Sequence, residues 1–157
     1  MNRPELQHLR VDVFSTMIGD VTGFAIGRAL SACEKLKTAK LSMFGTKLTD
    51  RGGQALATGL NRPELQDLNV SLSFTEVNDG TAMALAKSLG SCMKLQKVNV
   101  ELGHTTLGDV GLAAIGTSLA TLPELAKIRL ELSSSAVTPE GIDDLRNKLE
   151  CSELDID

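Results

Sequence analysis

Leu65-Gln66-Asp67-Leu68-Asn69-Val70-Ser71-Leu72 returns thirty residues later as Leu95-Gln96-Lys97-Val98-Asn99-Val100-Glu101-Leu102, and after thirty more as Leu125-Ala126-Lys127-Ile128-Arg129-Leu130-Glu131-Leu132. From the fourth position onward apolar and polar residues alternate, the period of a strand with one buried face. Working outward, the opening leucine recurs at Leu6, Leu36, Leu65, Leu95, Leu125 and Leu154, with gaps of 30, 29, 30, 30 and 29 residues. Self-similarity at one fixed period marks a repeat architecture, in which each unit buries its apolar face against the next.

The second half of each unit has helical spacing. Twelve residues after each opening leucine stands another apolar residue: Ile18, Leu48, Val77, Leu107 and Val137. A helix start follows. Thr49-Asp50, Asn78-Asp79 and Thr138-Pro139-Glu140 place a capping side chain ahead of an acid or a proline in the first turn. Apolar residues then return as in a helix, for example Ala55, Leu56 and Leu60, or Ala84, Leu85 and Leu89. Each unit is therefore strand, turn and helix, and a row of such units predicts parallel strands stacked into a curved solenoid.

The Leu-x-x-Leu-x-Val openings, with Leu48-Thr49-Asp50-Arg51-Gly52-Gly53-Gln54-Ala55-Leu56-Ala57 and Leu107-Gly108-Asp109-Val110-Gly111-Leu112-Ala113-Ala114-Ile115, resemble the leucine-rich-repeat family in its longer, ribonuclease-inhibitor-like class. The resemblance covers nearly the whole chain. It implies an α/β horseshoe of about five repeats, with parallel strands on the concave face and helices on the convex face. It also implies binding of proteins rather than catalysis. One position departs from the family pattern, which carries Asn or Cys eight residues after the opening leucine. Here that column reads Phe14, Phe44, Ser73, Gly103, Ser133. The apolar alternation also runs on through Val13, Met43, Leu72, Leu102 and Leu132, which predicts a longer strand and a differently built turn.

Composition narrows the functional classes. The chain has four Phe and neither Tyr nor Trp, so its core is built from aliphatic side chains. A net charge of −4 gives no broad basic field, and nucleic acid is not an expected partner. No apolar run reaches membrane-spanning length, so membrane insertion is not expected either. Three widely spaced cysteines, Cys33, Cys92 and Cys151, argue against a disulfide framework and for a reducing, cytoplasmic setting. Cys33 and Cys92 each fall three residues beyond a helix leucine and read as small packing residues.

No cofactor, metal or catalytic group is expected. Asp20, Asp50, Asp79 and Asp109 form a column one repeat apart, and helices about 8–10 Å apart do not readily bring such acids onto one cation. They read as acids at the positive ends of their own helices. His8 and His104 read as isolated surface residues, and Gly23 and Gly27 as a spacing that permits close helix packing.

The chain is expected to start mid-repeat, its first strand preceded by no helix, for Asn2-Arg3-Pro4-Glu5-Leu6-Gln7 is copied at Asn61-Arg62-Pro63-Glu64-Leu65-Gln66 after a helix. Leu154-Asp155-Ile156-Asp157 reads as the opening of a sixth strand. Residues 1–157 are thus expected to form a single repeat domain without dedicated caps. Such ends raise a second expectation, a structural subunit that self-associates or meets neighbouring protein through its open repeats.

Residues between the core positions line the sheet face in columns. These run His8, Thr38, Asp67, Lys97, Lys127, then Arg10, Lys40, Asn69, Asn99, Arg129, then Asp12, Ser42, Ser71, Glu101, Glu131. Two features stand out as a candidate protein-binding surface for a partner of unknown identity. Phe14 and Phe44 fall on adjacent strands beside Arg10 and Lys40, either as an exposed apolar anchor or buried under the turn. Glu101 beside Glu131, with Lys97 beside Lys127, sets like charges across a ladder, where Arg129 is expected to offset the acids.

Overall fold

The computed structural model describes residues 6–149 and 153–157. The copied Asn2-Arg3-Pro4-Glu5 segment and Cys151 lie outside the described residues. Strands and helices alternate along the chain: β1 (His8–Asp12), α1 (Asp20–Ser31), β2 (Thr38–Ser42), α2 (Asp50–Gly59), β3 (Asp67–Ser71), α3 (Asp79–Leu89), β4 (Lys97–Glu101), α4 (Asp109–Leu119), β5 (Lys127–Glu131), α5 (Pro139–Lys148) and β6 (Glu153–Ile156). All described strands pair in parallel, each with its sequence neighbour, in the order β1-β2-β3-β4-β5-β6. Register follows the repeat: Leu68 on β3 lies between Ala39 and Val98, and Val70 lies between Leu41 and Val100.

The core is one stack of identical layers. Leu36, Leu65 and Leu95 are fully buried, as are the strand residues Ala39, Leu68, Val70 and Val100 and the helix residues Leu30, Leu89 and Ile115. Cys33 and Cys92 are buried at the helix ends, where their thiols point at backbone carbonyl oxygens of Ala29 and of Leu60 and Ser88. In the outermost layers Leu9, Val11, Leu154 and Ile156 are only half-buried.

Regular strand covers five residues in each of β1 to β5, shorter than the apolar alternation predicts. The ladder nevertheless continues past it. Val13, Met43, Leu72 and Leu102 donate their amides to Ser42, Ser71, Glu101 and Glu131 of the next repeat, and Ser15, Gly45, Phe74 and His104 do the same to Phe44, Ser73, Gly103 and Ser133. The backbone then leaves the strand through a left-handed residue in every repeat: Ser15, Gly45, Phe74, His104 and Ser134 have φ of 53°, 66°, 59°, 53° and 54°. The next residue closes the turn. Thr16, Thr46, Thr75 and Thr105 donate their hydroxyls to the carbonyls of Val13, Met43, Leu72 and Leu102 at 2.6–2.8 Å. A threonine two residues beyond the column of Phe14, Phe44, Ser73 and Gly103 therefore closes the turn in four repeats.

Helices need more room than strands, about 8–10 Å against about 4.8 Å, so the stack curves with the sheet on the inner side. Glycine narrows that mismatch between α1 and α2. A Cβ on Gly23 would stand 2.6 Å from the Gly52 carbonyl oxygen, and one on Gly27 would stand 2.8 Å from the Ala55 carbonyl carbon. The helix backbones touch there, as the Gly23/Gly27 spacing predicts.

The aspartates stand in the first turns of their own helices, as expected, and take on a further role. Each carboxylate reaches across to the helix of the next repeat. Asp20 accepts from the amide and hydroxyl of Thr49 (2.8 and 2.7 Å) and from Gly52 N (3.2 Å). Asp50 accepts from the amide and hydroxyl of Thr81, both at 2.7 Å, and Asp109 from those of Thr138, both at 2.8 Å. Where the cap is Gly108, without a side chain, Asp79 serves its amide at 2.7 Å. The acids thus link neighbouring helices, using donors left unpaired at each helix start.

Burial alone would raise the Asp20 carboxyl. Hydrogen bonds from Thr49 and Gly52, with the charge of Arg51, outweigh it and hold the group below its ordinary value. Asp50 is likewise lowered: burial opposes, and bonds from Thr81, Gln54 and Asn78 prevail. A carboxyl whose pKa falls on folding stabilises the fold above its unfolded value, and that contribution disappears as pH drops through the folded value. The melting temperature is therefore expected to fall on acidification below the ordinary aspartate range of about 3.9. Part of that fall is expected to vanish in Asp20→Asn with Asp50→Asn, which starts lower at neutral pH. Thermal melts from pH 7 to pH 2 check this; parallel curves for both proteins would refute it.

Candidate functional site

The sheet face and the loop edge beside it carry the side chains that the core does not use. At the edge, Phe14 is 60% exposed and Phe44 37% exposed, which decides between the two sequence readings in favour of display. The rings do not form the pair that adjacent strands suggest. Phe44 packs instead on Phe74, with ring centroids 5.0 Å apart and planes tilted by 52°. Phe74, 50% exposed, in turn stacks on the His104 imidazole at 3.9 Å and 20°. His104 is therefore not isolated, and three aromatic side chains from successive repeats form a ladder. Phe14, with Met17 in the same repeat, continues the exposed apolar surface at the β1 end.

Phe74 and His104 belong to the left-handed column, one residue beyond the column of Phe14 and Phe44. A left-handed conformation costs a residue with a Cβ about 1–2 kcal/mol, and a bulky one is uncommon there. Elsewhere in the column stand serine and glycine. A phenylalanine at a place suited to glycine was the signal available in the sequence, but only once the turn geometry was known.

On the sheet face the charges also settle differently from their expected arrangement. Glu101 and Glu131 are register neighbours, as are Lys97 and Lys127. Arg129 does not turn to the acids of its own repeat. It meets Asp155 at 3.6 Å and Asp157 at 3.1 Å, while Lys127 pairs with Glu153 of β6. Glu131 is held by hydrogen bonds instead. It accepts from the Ser133 amide at 3.1 Å and the Ser133 hydroxyl, and reaches over the bare Gly103 to accept from Gly103 N and Ser73 Oγ, each at 3.1 Å. Burial opposes its charge, but these bonds prevail and lower the Glu131 carboxyl below its ordinary value. Glu131 is thus a structural brace across three repeats. Glu101 takes a bond from the Asn99 amide at 3.3 Å, and Arg10 pairs with Asp12 of its own strand at 3.6 Å.

Between these features lies a shallow concavity of about 220 Å³, with Lys40, Lys97, Lys127 and Arg129 in its lining and one acid, Asp67. Lys40 and Lys97 are exposed and make no ion pair among the described residues. Among the described residues no group of three His, Cys, Asp or Glu side chains could hold a metal ion. No helix among them is long and apolar enough to cross a membrane.

No protein-family model matches the chain, and no curated protein matches its sequence. Solved structures similar in fold include the following two. Leiomodin-1 actin-binding site 2 superposes with a TM-score of 0.56 at 15% identity, over 99% of this chain and 73% of that one. An internalin C2 from Listeria monocytogenes superposes with a TM-score of 0.50 at 16% identity, over 99% of this chain and 63% of that one. This chain therefore spans less than two thirds of the internalin. At such identities the likeness is one of fold, that of a leucine-rich-repeat solenoid.

Proposed function

We propose that this repeat domain is a non-catalytic protein-binding module whose partner lies on the sheet face and the loop edge beside it. The observation that carries the reading is the ladder Phe44–Phe74–His104, extended by Phe14. Aromatic side chains are the strongest apolar anchors this chain possesses, since it has four Phe and no Tyr or Trp. Phe14, Phe44 and Phe74 stand exposed at the edge of the sheet instead of filling the core. Rings that stack on one another are already ordered, which lowers the entropy lost on binding. An exposed apolar strip rimmed by polar residues is a common mark of an interaction site. Leiomodin-1 actin-binding site 2, similar in fold, is itself a protein-binding module, which agrees with this class of activity and names no partner for this chain.

Phe44→Asp with Phe74→Asp is expected to weaken partner binding by about tenfold to a hundredfold, the scale of losing one or two aromatic anchors. The melting temperature should hold or rise slightly, because the left-handed turn at residue 74 tolerates Asp better than Phe. The check is co-purification from source cells against the wild type, with Val110→Asp on α4 as the control for an exposed apolar residue off the proposed surface. Equal recovery with the edge variant and the wild type would remove the sheet-face reading.

A further inference from the structure

We infer that the segment this surface receives is acidic and extended, and that Lys40 and Lys97 take its carboxylates. The inference rests on the binding-module reading and adds the chemistry of the partner. Its first support is charge segregation. The chain as a whole carries −4, yet the concavity on its sheet face is lined by four cations and one acid. Lys97 and Lys127 face each other in register across β4 and β5, like charges that disfavour one another; Glu153 answers Lys127, and Lys97 makes no ion pair among the described residues. Asp67 is the register partner of Lys97 on β3, but no ion pair forms between them.

The second support is the chain's own sixth strand, which pairs with β5 within the sheet and shows that acids on an extended segment settle these cations. β6 carries Glu153 and Asp155 at alternate positions, and Asp157 follows. Glu153 sits on Lys127, and Asp155 and Asp157 sit on Arg129. An extended segment with acids on one side thus satisfies two of the four cations, and the other two are left without carboxylates. Asp67 and Asn69 of β3 lie between them, Asn99 follows Lys97 by two residues, and the Asn99 side-chain oxygen is buried without a hydrogen-bond partner.

The spacing sets the ligand. Asn99 is the register neighbour of Lys40 through Asn69, and Lys97 precedes Asn99 by two residues. Two strand spacings of about 4.8 Å across and two residues of about 3.3 Å along put the Lys40 and Lys97 Cα atoms about 12 Å apart. An extended chain covers that distance in three to four residues.

The test is a titration of the whole chain, labelled with nitrogen-15, with a twelve-residue peptide of Gly and Ser carrying Asp at every fourth position. A peptide with Lys at those positions and a twelve-nucleotide oligothymidylate are titrated alongside. The expected result is shift changes at Lys40, Asn69, Lys97 and Asn99 with the Asp peptide alone, weakened by added salt and about fivefold by Lys40→Ala with Lys97→Ala. Both lysines are exposed, so the double variant keeps the fold. Shifts elsewhere, equal binding of the Lys peptide, or no effect of the double variant would overturn the inference. Tighter binding of the oligothymidylate through the same lysines would overturn it in favour of a nucleic-acid phosphate. The peptide carries no aromatic or apolar anchor, so its failure beside a successful Phe44/Phe74 experiment would remove the acidic partner and leave the binding module.

Discussion

Gly27→Val is expected to destabilise the protein by about 3 kcal/mol or more and to lower its melting temperature by about 6–12 °C. Substituting a glycine inside a helix ordinarily gains stability, because glycine loses the most backbone entropy on ordering. Here the space is missing. A Cβ at Gly27 would fall far inside van der Waals contact with the Ala55 carbonyl group, and Gly59 packs in turn on the Gly27 backbone, its own Cβ position 2.8 Å from Gly27 Cα. Backbone cannot rotate away as a side-chain end can, so α1 would have to lift from α2. Gly116→Ala is the informative contrast. Its Cβ would meet the tip of the Leu145 side chain, which another rotamer relieves, so its effect should be small. Thermal melts of the two variants decide the matter; equal stability of Gly27→Val and wild type would mean that the helices are not in backbone contact.

Leu68→Ala is expected to cost about 2–5 kcal/mol, the range for emptying a fully buried leucine site. Leu68 has no exposed surface and occupies the middle of the strand ladder between Ala39 and Val98. In a stack of repeats each layer touches only its neighbours, so a void in a central layer weakens two interfaces at once. Leu9→Ala removes the same atoms from the half-buried outer layer and should cost about half as much, in proportion to the area it buries. Urea denaturation of both variants measures the difference. Equal losses would mean that the outer layer is as well packed as the centre.

Much of this architecture can be read from the chain alone, and particular residues say why. The period of the opening leucines, the strand alternation at Leu68-Asn69-Val70 and the caps Thr49, Asn78 and Thr138 are local patterns. Each expresses a rule that acts over a few residues, the two-residue pleat, the helical turn or an N-terminal hydroxyl within reach of a backbone amide. All three caps accept a hydrogen bond from their own helix, as their positions require. The columns of the sheet face follow from the same arithmetic, which is why Lys97 and Lys127 were correctly placed opposite one another.

Contacts between side chains are less legible, because they join residues one or two repeats apart. The aspartates sit at the starts of their own helices, yet serve donors on the next, at sequence separations of 28 to 32 residues. Arg129 had acids of its own repeat in view and takes those of the last strand, while Glu131 reaches back 58 residues to Ser73. The aromatic ladder was half visible. Phe14 and Phe44 share a column, but Phe74 stands one place further along and joins Phe44 only because the left-handed turn redirects its side chain.

The sequence by itself determined the repeat, its elements, the buried side of every strand and the residues offered to the sheet face, since periodicity and burial are properties of each segment. Tertiary structure alone decided which offered residues meet: the helix each aspartate serves, the acids that hold Arg129, and the stacking of Phe44, Phe74 and His104. Those choices depend on the distance and angle between neighbouring repeats. That geometry is set by where glycine lets backbones touch and where a turn goes left-handed, and no single segment contains it.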